Sequence, residues 1–222
     1  MVTHAPNRTL GTIPATQTGV SAACSGPLAL APDKALPMCL SFDFNINPAT
    51  VVIGQPHGDE PWVWREVFTV NRGGEATRAA AEAAKGHLGS INWEGEVRIY
   101  GDATGSGPKT TGPSDHAVLR EVFPKATWCI KPANPHQRDR VAAVNARCET
   151  VDRKRHVRID PSCRKLIADL EQVVFLDTGE LDKKTNPMLT HVSDAFGYWV
   201  HREWPVKHVT QSVGRTMIER LL

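Results

Sequence analysis

Residues 40–52 read LSFDFNINPATVV. Leu40, Phe42 and Phe44 alternate with Ser41, Asp43 and Asn45, the two-residue period of a strand with one apolar face. Burying an Asp in such a strand is costly unless a cation or hydrogen bonds compensate it. Asp43 therefore either faces water at a strand edge or belongs to a site. Asn47-Pro48 supplies a turn and Val51-Val52-Ile53 restarts an apolar run, so the stretch reads as a hairpin.

Strand patterns over 39–45, 50–55 and 62–70 with short connections predict an antiparallel meander. Residues 75–88, EATRAAAEAAKGHL, are Ala-rich with acids early and Lys/His late, which suits a helix and its dipole. Gly86 and Gly89 mark its expected fraying and end. Residues 97–102, VRIYGD, form a strand that closes on a second carboxylate. Ser114 is a good N-cap for a helix to about 123. A strand over 126–131, a helix over 136–149, a short strand over 156–159 and a helix over 162–175 follow. A polar loop at 181–187 leads to a last helix over 191–204, stopped by Pro205. Three antiparallel strands followed by parallel crossovers make a mixed α/β sheet flanked by helices, an order that matches the ribonuclease H-like fold. Residues 1–36, with seven Ser/Thr and four Pro, read as an arm or linker, and 37–222 as one domain.

Composition bounds the chemistry. With 41% hydrophobic and 23% charged residues over 222 positions, the chain is ordinary for a globular protein. No window reaches the length of a membrane-spanning helix. The five cysteines (24, 39, 129, 148 and 163) show no CxxC or CxxH spacing, so reduced thiols are expected rather than a zinc site. The net charge of +2 conceals an asymmetry: residues 131–168 hold ten Lys/Arg against four Asp/Glu. Such a block is either a solvated surface or a polyanion-binding face.

If the first and fourth strands are neighbours, Asp43 and Asp102 converge across one strand spacing of about 5 Å. Two acids that close need a shared proton or a divalent ion. Hard oxygen donors favour magnesium or manganese. In the last helix Val192, Ala195, Phe196 and Trp199 form the apolar stripe, while His191, Asp194, Tyr198 and His201 fall on another flank. Asp194 is then either a first-turn acid stabilised by the dipole or a metal ligand. The loop GDATGSGPKT is not a phosphate-binding P-loop, because Pro108 stands where that motif needs a Gly before the Lys. On the helix over 136–149, Arg140 and Arg147 lie on one flank. With Arg153, Lys154, Arg155 and Arg158 they are candidates to line a groove for phosphates.

Several blocks, SFDFNINP, VRIYGDATG, NPHQRDRVAAVNA, SCRKLIADLEQVVF and LTHVSDAFGYWV, together resemble the C-terminal nuclease domain of tailed-phage terminase large subunits. The resemblance runs in order from about residue 36 to 205. It implies a fold similar to RuvC resolvase and ribonuclease H. It also implies metal-dependent cutting of concatemeric double-stranded viral DNA, with Asp43, Asp102 and Asp194 as acids holding two divalent ions, Mg2+ or Mn2+. Asp43 would bridge the ions. His191 would orient a water or contact phosphate, Asn45 shares the strand face of Asp43, and Asp182 is an outside candidate ligand. Partners implied are the terminase ATPase domain, the small terminase subunit and the portal, in the cytoplasm of an infected bacterium. The sequence has no Walker A motif, so no ATPase is expected in it, and the arm before residue 36 fits an excised domain. The rival readings are a four-way-junction resolvase, a ribonuclease acting on RNA–DNA hybrids, and a non-catalytic DNA-binding or assembly module.

Overall fold

The computed structural model describes residues 30–70, 72–109, 112–149, 154–173, 181 and 185–206. Strands β1 (Met38–Asp43), β2 (Ala49–His57) and β3 (Glu60–Thr69) are the predicted antiparallel meander. Strand β4 (Val97–Gly101) returns parallel to β1, and β5 (Thr127–Trp128) adds parallel to β4. Strand β6 (Arg158–Ile159) pairs parallel with the far edge of β3. The sheet order is β5-β4-β1-β2-β3-β6, which places β1 at its centre. Both β5 and β6 are shorter than their apolar patterns predict, as suits edge strands with one paired side.

Helices cover both faces. On one lie α1 (Ala76–Ser90) and α2 (Asp115–Val122), on the other α3 (Gln137–Cys148), α4 (Arg164–Gln172) and α5 (His191–Glu203). Ala76, Ala80, Ala81, Ala84 and Leu88 recur at helical spacing and bury against Leu40, Phe42, Val51, Ile53 and Ile99. The small side chains let α1 lie close on the sheet. The helix runs through Gly86 and Gly89 to Ser90, past the expected stop, because both glycines face open space and the buried Ala/Leu face holds the turn. Ser114 caps α2 as predicted, its hydroxyl accepting from Ala117 N–H at 3.2 Å.

The opposite face is led by α5. Val192, Ala195, Phe196 and Trp199 are all fully buried against Cys39, Val52, Val63 and Tyr100. Ser41, on the second face of β1, donates its hydroxyl to the Ala195 carbonyl at 2.5 Å. Every residue of β1 is therefore buried, where its alternation had predicted one wet face: the polar side is covered by a helix that carries polar partners. At the rim of this face, Trp199 lies over Gly54, where a Cβ would come within 2.9 Å of the indole.

Residues 30–36 are not a free arm. Gln55 donates to the carbonyls of Asp33 and Leu36 and accepts from Asp33 N–H, and Leu30 N–H donates to Asp160. The segment, which turns at 34–36, satisfies several of its backbone groups with the buried side chains of Gln55 and Asp160. Residues 1–29 lie outside the described part. The described cysteines, Cys39, Cys129, Cys148 and Cys163, are all free thiols, and no described helix is long and apolar enough to cross a membrane.

The N-terminus of α5 has no cap from its own chain segment, since Thr190 makes no capping hydrogen bond. The buried Asp169 of α4 does the capping instead, accepting from Val192 N–H at 3.0 Å and Ser193 N–H at 2.9 Å. Asp169→Ala should lower the unfolding free energy by about 1–2 kcal/mol, the usual cost of a lost cap. The readout is a lower urea midpoint at constant slope. An unchanged midpoint would mean that α5 is held at that end by packing alone.

Candidate active site

The site stands at the carboxyl ends of β1 and β4. Phe42 pairs with Gly101, and Asp102 N–H donates to the Phe42 carbonyl at 3.3 Å. Asp43 and Asp102 thus follow a paired position on neighbouring strands, as predicted. Gly101 makes this approach possible. Its φ is +153°, and a Cβ there would lie 2.6 Å from the Phe42 oxygen, so a side chain would push the two strand ends apart.

Asp43 shares the face of Ser41 and is only 6% exposed. Its Oδ2 accepts from the Asn45 amide and lies 3.3 Å from His191 Nδ1. The same Asn45 amide is 3.0 Å from His191 Nδ1. His191 Nε2 is 2.9 Å from the Pro187 carbonyl and donates there, so Nδ1 accepts from Asn45 in the neutral ring and donates to Asp43 only in the imidazolium. Thr50 on β2 donates to the His191 carbonyl. Asn45 and His191, both expected near the chemistry, are therefore brought onto Asp43 itself. Burial pushes the Asp43 carboxyl above its ordinary range against the His191 hydrogen bond, and the charges of Asp194 and Asp102 push it further.

Asp102 has the opposite character. Its Oδ1 accepts from Thr104 N–H, the Thr104 hydroxyl and the Asn134 amide, each at 2.7 Å. Burial alone would raise its pKa, but these bonds and one from Tyr198 outweigh it and hold the carboxyl below its ordinary value. Asn134 also accepts from Ala103 N–H at 2.8 Å, so a loop beyond β5 clips the first two residues of the turn after β4.

Asp194 stands in the first turn of α5, also 6% exposed. Arg140 of α3 reaches it with Nη2 at 2.6 Å from Oδ1, and both side chains are 8% exposed. The guanidinium lies 4.2 Å from the centre of the Tyr198 ring. Tyr198 in turn feels the charges of Asp102, Asp43 and Asp194. The three acids occupy one region, yet among the described residues no three His, Cys, Asp or Glu side chains form a closed metal-binding group. The donor set nevertheless suits a hard divalent cation: it consists of carboxylates and amides, and no described hydrogen bond reaches Asp43 Oδ1.

The basic residues fare differently. Arg140 is a buried ion-pair partner rather than a surface phosphate contact, because α3 packs against α5 and turns that flank inward. Arg147 Nη1 is 3.1 Å from the Asp59 carbonyl, and Arg158 lies over Trp62 with Glu60 at 3.5 Å. Lys154 and Arg155 are exposed beside them, His156 N–H donating to the Arg147 carbonyl. All four stand by the β2–β3 turn, at the opposite end of the sheet from Asp43, so they do not form one groove with the acids. Asp182 and Arg153 lie outside the described residues. Asn134 and Asp169 lie far along the sequence from the groups they bond, so no local spacing points at them, whereas Thr104 is two residues from Asp102 in a local turn capped by that carboxylate. Tyr198 was noted only by its position on the flank of Asp194.

Neither a protein-family model nor a curated protein matches the sequence. Solved structures do match, and they show the fold: it is the ribonuclease H-like fold of large terminase nuclease domains. The large terminase of one thermophilic bacteriophage superposes with a TM-score of 0.56 at 15% identity, over 78% of this chain and 41% of that one. This chain thus spans about two fifths of that protein. The large terminase nuclease of thermophilic phage G20c gives 0.55 at 8% identity, covering 84% of this chain and 97% of that one. The P22 large terminase nuclease domain gives 0.50 at 13%, covering 82% and 95%.

The clip on Asp102 has a pH signature. A carboxyl held below its ordinary value of 3.8 adds stability above that pH, and the contribution is lost as pH falls through the lower folded value. Asn134→Ala should raise the Asp102 pKa in a carboxyl NMR titration. The variant should be less stable than wild type at pH 7, with the gap narrowing below 3.8. A gap that persists unchanged in acid would assign Asn134 only to the Ala103 backbone.

Proposed function

We propose that this chain is the nuclease domain of a tailed-bacteriophage large terminase. In this reading it cuts concatemeric double-stranded DNA with two divalent ions, Mg2+ or Mn2+, held by Asp43, Asp102 and Asp194. The observation that carries the reading is the pairing of Phe42 with Gly101, which sets two carboxylates side by side on this particular fold. Bound ions would supply an activated water at neutral pH and stabilise charge on the leaving 3′ oxygen. Asn45 and His191 hold Asp43 by one oxygen and orient it. Asn134, Thr104 and Tyr198 keep Asp102 ionised and fixed. Such partners of metal ligands commonly set affinity and activity over about 10–100-fold.

In the whole terminase, an ATPase domain, the small subunit and the portal would be the partners, in the cytoplasm of the infected host. These residues carry no Walker A motif, so translocation belongs elsewhere. The ion pair of Arg140 with Asp194 favours one rival, a DNA-binding or assembly module without turnover, because it neutralises the third acid internally.

Supercoiled-plasmid cleavage with Mg2+, Mn2+ or EDTA separates the two. Cleavage should require metal, and Asp43→Ala and Asp102→Ala should each reduce it by more than about 100-fold, beyond what outer partners cost. Activity retained in Asp194→Ala would leave that residue as a helix-terminus acid. A folded wild type that cuts with neither metal would favour the module, and a preference for four-way junctions over linear duplex would favour a resolvase.

A further inference from the structure

The three acids are not equivalent in what neutralises them. Asp43 and Asp102 are held by neutral groups or by a histidine. Asp194 is held by a full cation that is itself buried. The guanidinium is packed to be there. Gly197 leaves room for its stem, since a Cβ at that position would be 3.0 Å from Arg140 Cγ, and Tyr198 lies under its charged face. These contacts come from adjacent residues on α5, and they hold the arginine whether or not it bonds Asp194.

We propose that Arg140 is a built-in counter-ion that occupies Asp194 in the metal-free chain and competes with a divalent cation for that carboxylate. The proposal rests on the reading of Asp43, Asp102 and Asp194 as the metal-holding acids. Competition follows from charge: a cation entering beside Asp43 and Asp102 meets a third carboxylate already neutralised, and it meets the repulsion of the guanidinium. Arg140 thereby keeps the site from closing on a cation by itself. When Asp194 is given up, the guanidinium keeps its seat on Tyr198 and Gly197, so the exchange needs no movement of α3.

An opposite charge within a few ångströms changes the proton affinity of a carboxylate by about 10- to 1000-fold, and a divalent ion is at least as sensitive to it. Mn2+ binding to the full chain without DNA, followed by calorimetry, should therefore tighten by about 10-fold or more in Arg140→Gln. Arg140→Lys should restore wild-type affinity, and thermal melts would confirm that both variants are folded. In wild type, the Arg140 side-chain 15N resonances should shift on adding Mg2+, a readout that needs no variant at all. Equal or weaker Mn2+ binding in Arg140→Gln, or unmoved Arg140 resonances, would overturn the proposal and leave Arg140 a structural clamp. Asp43→Ala keeps the two readings apart. If it binds Mn2+ as well as wild type does, the acids are not the metal site, and both the proposal and the metal reading fail. If Asp43→Ala abolishes binding while Arg140→Gln changes nothing, only the proposal fails.

Discussion

The parallel pairing of β1 with β4 is the constraint on which the rest of the structure depends. A central strand buried on both faces must have every backbone group paired and every side chain accommodated. On the α1 side this is met by apolar packing of Leu40 and Phe42. On the α5 side Ser41 and Asp43 need polar partners, and α5 with its neighbours supplies them: the Ala195 carbonyl, His191, and Asn45 from the turn. The same helix sends Trp199 onto the sheet, so the packing that stabilises the fold also sets the height of Asp194. A shift of α5 would therefore be felt at the core and the site together, which gives the trans cap from Asp169 its importance.

The electrostatics divide the acids into distinct roles. Asp43 is the costly one, buried among like charges and shifted toward its neutral form. Asp102 is the opposite, shifted toward its ionised form by donors gathered on one oxygen. Environments that push two neighbouring carboxyls apart recur at functional sites and also in structural networks, as at Glu66 and Asp160 here, so the contrast carries weight only together with the strand pairing.

Much of this was legible in the sequence, for definite reasons. The two-residue period around Asp43 and the Gly-Asp ending of VRIYGD determined which carboxylates could meet, and strand order then brought them together. The stripe Val192, Ala195, Phe196, Trp199 placed α5 on the sheet by its 3.6-residue period alone. What was not legible depends on contacts across the fold. Asn134 and Asp169 lie in a loop and on a separate helix, 32 and 23 residues away from the groups they bond, and no local pattern encodes such partners. The inward turn of Arg140 is illegible for a related reason: an arginine on a helix flank reads as solvated, and only the packing of α3 against α5 covers it. The length of α1 exceeds what glycine propensity predicts because the buried alanine face outweighs it.

The distribution of cations completes the picture. The block that makes residues 131–168 basic is split by α3, whose two ends lie at opposite ends of the sheet. Arg147, His156 and Arg158 gather around Asp59 and Glu60 by the β2–β3 turn, where much of their charge is locally balanced. Exposed cations do stand beside the supports of Asp102: Lys131 and Arg202 line a cleft together with Asn134 and Tyr198. A polyanion that approaches the acids along this edge meets those two charges, whereas Arg140, equally positive, is spent inward on Asp194. Net charge along the sequence is thus a poor guide to where a phosphate would be held, and the direction in which each helix turns its arginines decides it.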